Sequence, residues 1–113
     1  MLFDKLFLTG YIMSMKYSLE TTEIYDKWFR KLKDRLHKIK ILARLNRVEN
    51  GNFGDFKQIN STLYELRLFF GPGFRIYYSI KGGRIVLLLA GGDKSSQQKD
   101  INKASELLNQ MEE

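Results

Sequence analysis

The stretch Tyr64–Lys94, YELRLFFGPGFRIYYSIKGGRIVLLLAGGDK, constrains the fold more than any other part of the chain. Two breaks, Gly71-Pro72-Gly73 and Lys81-Gly82-Gly83, divide it into three runs rich in Leu, Ile, Val, Phe and Tyr. Glycine accepts positive φ and proline presets φ at about −65°, so both breaks predict tight turns between strands. Loops this short cannot carry a parallel crossover, and the spacing therefore predicts a three-strand antiparallel meander.

Side chains alternate along a strand, which sorts these residues into two faces. Tyr64, Leu66, Leu68 and Phe70 share one face with Phe74, Ile76, Tyr78 and Ile80; this is the predicted core face. Glu65, Arg67 and Phe69, with Arg75, Tyr77 and Ser79, point the other way. An arginine–tyrosine surface on a small sheet is either a solvated face or a site for an anion. The third run, Ile85–Ala90, is unbroken apolar, which predicts a central strand covered at least in part on both faces.

Upstream, Lys16–Thr21 predicts a first strand, and Thr21 or Thr22 a helix cap followed by Glu23 and Asp26 in the first turn. Ile24, Trp28 and Leu32 recur at helical spacing, with Tyr25 and Phe29 beside them. Asp34 predicts a break and a new cap. The second helix is expected to reach Glu49 with Leu36, Ile39, Leu42, Ala43 and Leu45 inward, ending at Asn50-Gly51. The pair reads as a helical hairpin. Its opposite face would carry a basic row, Arg30, Lys33, His37, Lys40, Arg44 and Arg47, suited to a phosphate backbone or an acidic partner segment, or simply to solvent. Gly51–Ser61 reads as a loop pinned by Phe53 and Phe56, with Lys57 just before the sheet. After the sheet, Gly91-Gly92-Asp93 predicts a turn. Asp93 or Ser95 would cap a last helix with Ile101, Ala104, Leu108 and Met111 on its apolar stripe.

Residues 1–15 read as an extension of the domain or as a packing segment, and 16–113 as one domain. Without cysteine there is neither a disulfide framework nor a thiolate metal site, and the single histidine, His37, argues against a histidine pair. No metal or cofactor is expected. A cytoplasmic setting fits, and no apolar run approaches the roughly 20 residues that span a bilayer, so no membrane partner is expected. The net charge of +6 points to an anionic partner, nucleic acid first and an acidic protein next.

Four pieces together resemble the RelE/ParE toxin superfamily of bacterial type II toxin–antitoxin modules. They are the Trp28-Phe29 helix, ARLNRVENGNFGDFK (43–57), YELRLFFGPGFRIYY (64–78) and LLLAGGDKSSQQKDI (87–101). The likeness is strongest to the short HigB-like branch of phage-derived, addiction-module killer proteins, and it covers most of residues 17–105. The resemblance implies an α+β fold, with an N-terminal helical hairpin packed on a small antiparallel sheet and a C-terminal helix. It also implies a toxin that cleaves mRNA, mostly on the ribosome, and is neutralised by a cognate antitoxin, commonly a helix-turn-helix protein. ParE-like members instead poison DNA gyrase, and an inactive nucleic-acid-binding homologue is a third reading. Within the family pattern, Arg75 matches the sheet arginine at the scissile phosphate, Lys94 a basic residue after the last strand, and Arg67 a basic position of this branch.

Metal-free RNA cleavage requires deprotonation of the 2′-hydroxyl, charge stabilisation at phosphorus and protonation of the leaving oxygen. The expected catalytic set is Arg67, Arg75, Tyr77 and Lys94. Arg75 and Arg67 hold the phosphate. Lys94 positions it or protonates the leaving group. Tyr77 stacks on a base, orients the 2′-hydroxyl, or is a half-buried sheet tyrosine. The expected RNA- and ribosome-binding residues are Lys33, His37, Lys40, Arg44, Arg47 and Lys57. Some RelE toxins carry a catalytic tyrosine after the last strand; residues 95–113 hold none.

Overall fold

Two adjacent glycines near the end of the longest strand set how the layers meet. In the computed structural model, which describes residues 16–111, the elements follow in order. They are β1 (Ser18–Thr21), α1 (Glu23–Lys31), α2 (Arg35–Glu49), β2 (Phe56–Gln58), β3 (Tyr64–Arg67), β4 (Phe74–Lys81), β5 (Ile85–Asp93) and α3 (Gln97–Met111). The expected extension at 1–15 lies outside the described residues. The sheet order is β1-β5-β4-β3-β2. The meander is present as β3-β4-β5. Its second turn lies between the paired residues Lys81 and Ile85, and Gly82 and Gly83 close it with φ of +58° and +70°, in the left-handed region that glycine accepts.

Three features depart from the sequence reading. The sheet is mixed rather than antiparallel, because β1 pairs parallel to β5, Ser18 opposite Ile85 and Thr21 opposite Leu88. The run expected as loop contains an edge strand, β2, antiparallel to β3. Gly91-Gly92-Asp93 is not a turn: β5 continues through it, with Gly92 opposite Arg75 and Asp93 opposite Phe74. A strand that needs no side chain at two positions still pairs by its backbone, and here both faces require those gaps. A methyl at Gly91 would overlap the indole of Trp28 from α1, and one at Gly92 would overlap the Asp100 carboxylate of α3.

The sheet is thus covered on both sides. On the face predicted as core, Leu66, Leu68, Phe74, Ile76 and Tyr78 pack with Tyr25 of α1 and Ile41, Leu45 and Val48 of α2. On the other face, Tyr77, Leu87, Leu89 and Ala90 pack with Ala104 and Leu108 of α3. Met111, expected on the same stripe, is exposed at the helix end.

The caps fall where the residue types put them. Thr22 accepts from the Tyr25 amide at 3.1 Å and donates to the Leu89 carbonyl at 2.7 Å, tying α1 to β5. Asp34 accepts from the Leu36 and His37 amides and starts α2 at the expected break. The phase of α2 differs, however. It carries two apolar rows, and the buried one is Ile41, Leu45 and Val48. Leu36, Ile39 and Leu42, expected inward, are 56%, 53% and 54% exposed. The choice follows from Arg44, which turns inward with the buried row. Its guanidinium donates to the carbonyls of Phe53 (2.8 Å), Asp55 (2.6 Å) and Arg67 (3.0 Å), stapling the loop and the end of β3 to the helix. Burial leads the causes that lower the Arg44 pKa from its ordinary value.

Gly91→Ala would force the indole of Trp28 off the sheet, and urea unfolding is expected to show a loss of about 3 kcal/mol. A second expectation concerns pH. Tyr25, Tyr77 and Tyr78 are buried, and burial is the largest cause holding each phenol above the ordinary 10.0. Above pH 10.0 the unfolded chain sheds these protons and the folded one does not, so stability must fall as pH rises through that range. An alkaline absorbance titration is expected to show these three phenolates appearing together with unfolding, not before it.

Candidate functional site

The candidate site lies at one corner of the sheet, where β3 ends, β4 begins and β5 leads into α3. Register brings the cations there. Arg67 and Arg75 are direct cross-strand partners, and pairing positions project to one face. Lys94 follows β5 on a 3₁₀ turn, Lys94–Ser96, whose start is capped by Asp93: its carboxylate accepts from the Ser95 amide and hydroxyl. The hydrogen bonds from Ser95 hold the Asp93 carboxyl below its ordinary pKa. The GPG turn brings Lys94 to Arg75. At Gly73, φ is +82°, and a Cβ would lie 2.8 Å from Lys94 Cδ and 3.8 Å from Arg75 Nη1. A glycine is needed there for conformation and for space alike.

Arg75 is anchored below the surface. Its side chain is 8% exposed; Nη1 donates to the carbonyls of Gly73 (3.3 Å) and Phe74 (3.2 Å), and Nε lies 4.0 Å from Glu65 Oε1. Glu65, fully buried, accepts at Oε2 from Gln97 Nε2 of α3 at 2.7 Å. Glu65 Oε1, Arg75 Nε and Tyr77 Oη make no hydrogen bond. A buried ion pair of this length does not saturate Arg75, which leaves the guanidinium short of partners for an incoming anion. Arg67 is more open: its Nε meets Asp55 Oδ2 at 3.1 Å, with the two side chains 35% and 40% exposed. A half-exposed pair like this is weak and exchanges readily for a stronger anion.

Above the two arginines sits Phe69, 72% exposed, with each guanidinium carbon 5.9 Å from its ring centroid. The sequence reading put Phe69 on this face but gave it no role in the site. Its signal was its parity, an aromatic on the polar face of a strand that otherwise separates apolar from charged.

The expected site residues divide. Arg67, Arg75 and Lys94 come together. Tyr77 does not join them at the surface: it is fully buried beneath α3, and burial followed by the Glu65 carboxylate holds its phenol above the ordinary value. It cannot stack on a base or act as a base from there. The reason is that α3 covers the face read as open, since its Ala104 and Leu108 need that apolar ground. The basic row of α2 also divides. Arg44 is a buried staple whose three guanidinium nitrogens all donate to backbone carbonyls, which leaves it committed to the fold. His37 packs edge-on to Phe74 (centroids 5.2 Å) and beside Phe70 (5.6 Å), beneath the GPG turn. Lys33, Lys40 and Arg47 remain exposed, and Lys57 is exposed on β2, opposite Glu65. Among the described residues, no group of three His, Cys, Asp or Glu is placed to hold a metal, and no helix is long and apolar enough to cross a membrane.

Comparison with known proteins agrees with this geometry at the level of fold and family. The chain matches the solved structure of an arginine double mutant of E. coli toxin RelE in the free state. The TM-score is 0.66 at 20% identity, over 81% of this chain and 97% of that one. It also matches a chain of the intact E. coli RelBE toxin–antitoxin complex, at TM-score 0.57 and 22% identity, over 68% of this chain and 95% of that one. The fold is therefore RelE-like. A Haemophilus influenzae protein is 44% identical over 97 residues, 86% of this chain and 98% of its own length. Residues 27–109 match the family described as phage derived protein Gp49-like (DUF891), and the chain belongs to that family.

Proposed function

We propose that this protein is the toxin of a type II toxin–antitoxin module and an endoribonuclease that cuts mRNA by metal-free attack of the 2′-hydroxyl. The observation that carries the reading is the corner cluster, in which Arg67 and Arg75 flank one exposed aromatic ring and Lys94 reaches the Gly73 turn beside Arg75, on a RelE-like fold. Arg75, fixed by Gly73, Phe74 and Glu65, presents charge where negative charge grows at phosphorus. Arg67 shares that charge. Lys94 positions the phosphate and donates to the leaving 5′-oxygen. Phe69 stacks on the adjoining base, as exposed aromatics do in single-strand recognition.

The exposed corner supplies cations and a stacking surface, while its carboxylates, Asp55 and Asp93, are engaged by Arg67 and Ser95. Glu65 and Tyr77 are both enclosed under α3. Removal of the 2′-proton then falls to a group outside the corner, which favours cleavage on the ribosome. The RelBE likeness supports a cognate antitoxin as the protein partner.

Mapping of mRNA 5′ ends after induced expression tests the reaction. Defined cuts are expected, with gyrase supercoiling unaffected in the purified system. Inhibited supercoiling with intact mRNA would sink the ribonuclease reading and select a gyrase poison. Lys94→Gln, at an exposed position, and Arg67→Gln, at a half-exposed one whose ion pair is weak, are expected to keep stability within about 0.5 and about 1 kcal/mol respectively. Each should slow cleavage about a hundredfold. Phe69→Leu should raise KM with little change in kcat, by about 1–3 kcal/mol of stacking. Unchanged cleavage in all three variants would move the site elsewhere.

A further inference from the structure

β1 stops opposite Leu88, and among the described residues no strand pairs with the outer edge of β5 beyond it. That edge forms the floor of a groove of about 450 Å³ between α1 and α3. The walls are cationic. Lys27 and Lys31 stand on α1, and Lys99 and Lys103 on α3, each pair one helical turn apart and all four exposed. Like charges at this spacing repel along each helix, and the groove brings the two pairs together. Among the described residues, none of the four forms an ion pair. The carboxylates at the groove are already engaged: Asp100 accepts from Ser96 Oγ at 2.6 Å, and Asp93 from Ser95. The far wall is the Asp93–Ser96 turn, the same turn that carries Lys94, and Gly92 on the floor is the strand partner of Arg75. The groove and the corner cluster therefore share one turn.

We propose that this groove is a second RNA-backbone site, which holds the phosphates of the substrate strand flanking the corner. Only the identity of the strand as substrate rests on the ribonuclease reading; the anion chemistry stands on the lysines. Flexible ammonium groups on two facing rows suit a sugar–phosphate chain, held without regard to sequence. The apolar side chains at the groove, Ile24 and Trp28, are both half-buried in the packing of α1 on the sheet, Trp28 against Gly91, so neither stands free as the anchor that protein interfaces centre on. An acidic peptide added along the β5 edge is the alternative against which the experiment decides.

The probe is a short labelled 2′-O-methyl RNA oligomer of mixed sequence, which lacks the nucleophile and cannot be cut. Its binding is followed by anisotropy across a salt series. Lys27→Gln/Lys31→Gln and Lys99→Gln/Lys103→Gln should each lower the slope of log K against log salt by about 1.4, or roughly 0.7 for each phosphate no longer neutralised. Lys81→Gln/Arg84→Gln, the same charge change at the β4–β5 turn, should leave the slope unchanged. The corresponding Lys→Arg pairs should retain binding, and circular dichroism confirms the fold of each. No binding by the parent protein at low salt, an unchanged slope in the groove variants, or an equal fall in the control overturns the proposal. Loss of polyglutamate binding with RNA binding intact assigns the groove to an acidic peptide instead. Weaker pelleting with mRNA-free ribosomes, while oligomer binding holds, assigns it to ribosomal RNA and overturns the strand path. A protein that cuts no RNA yet shows the slope change loses the reaction and keeps the groove; one that cuts RNA with an unchanged slope keeps the reaction and loses the groove.

Discussion

The close approach of two helices to opposite faces of β5 is the constraint on which the rest of the molecule depends. At Gly91 and Gly92 the strand has no side chains, so Trp28 settles on one face and Asp100 on the other, one residue apart. Thr22 locks the first contact by donating to Leu89, and Ser96 locks the second by donating to Asp100. The end of the strand is therefore clamped, and the turn bearing Lys94 is delivered to a defined place beside the GPG turn.

The clamp also settles the electrostatics of the corner. With α3 held down, Glu65 and Tyr77 are shut away from water and Arg75 is left half-paired at the margin. A fully buried arginine would be satisfied by its carboxylate and useless to a ligand; a fully exposed one would be mobile and hydrated. Arg75 lies near the buried limit, but Glu65 stands 4.0 Å from its Nε and does not satisfy it, and two backbone carbonyls on its own turn aim it. Phe69 lies over it and over the neighbouring Arg67, each guanidinium carbon 5.9 Å from the ring centroid. Arg44 works to the same end from the opposite face, since the Arg67 carbonyl it binds is where β3 stops.

Much of this was legible in the chain. Turn chemistry at Gly71-Pro72-Gly73 and at Gly82-Gly83 marked the meander, and strand parity separated the Leu66/Ile76/Tyr78 face from the Arg67/Arg75 face. Capping residues marked both helix starts, Thr22 and Asp34. Where the reading failed, two local patterns were degenerate. On α2 both Leu36/Ile39/Leu42 and Ile41/Leu45/Val48 make an apolar row, and neither periodicity nor composition ranks them. On β4, Tyr77 close to Arg75 looks like a binding face until α3, from the far end of the chain, claims it.

The amino-acid order alone determined the helices and the meander, because φ preference, alternation and capping act over a few neighbouring residues; the edge strand β2 and the end of β5 at Gly91–Asp93 needed their partners. It also determined that cations would share a face on β3 and β4. Only the tertiary structure decided which faces stay open. The parallel pairing of β1 with β5, the inward turn of Arg44 and the descent of α3 onto Tyr77 are contacts between distant segments. Their outcome depends on competing burial, which no single stretch of sequence contains.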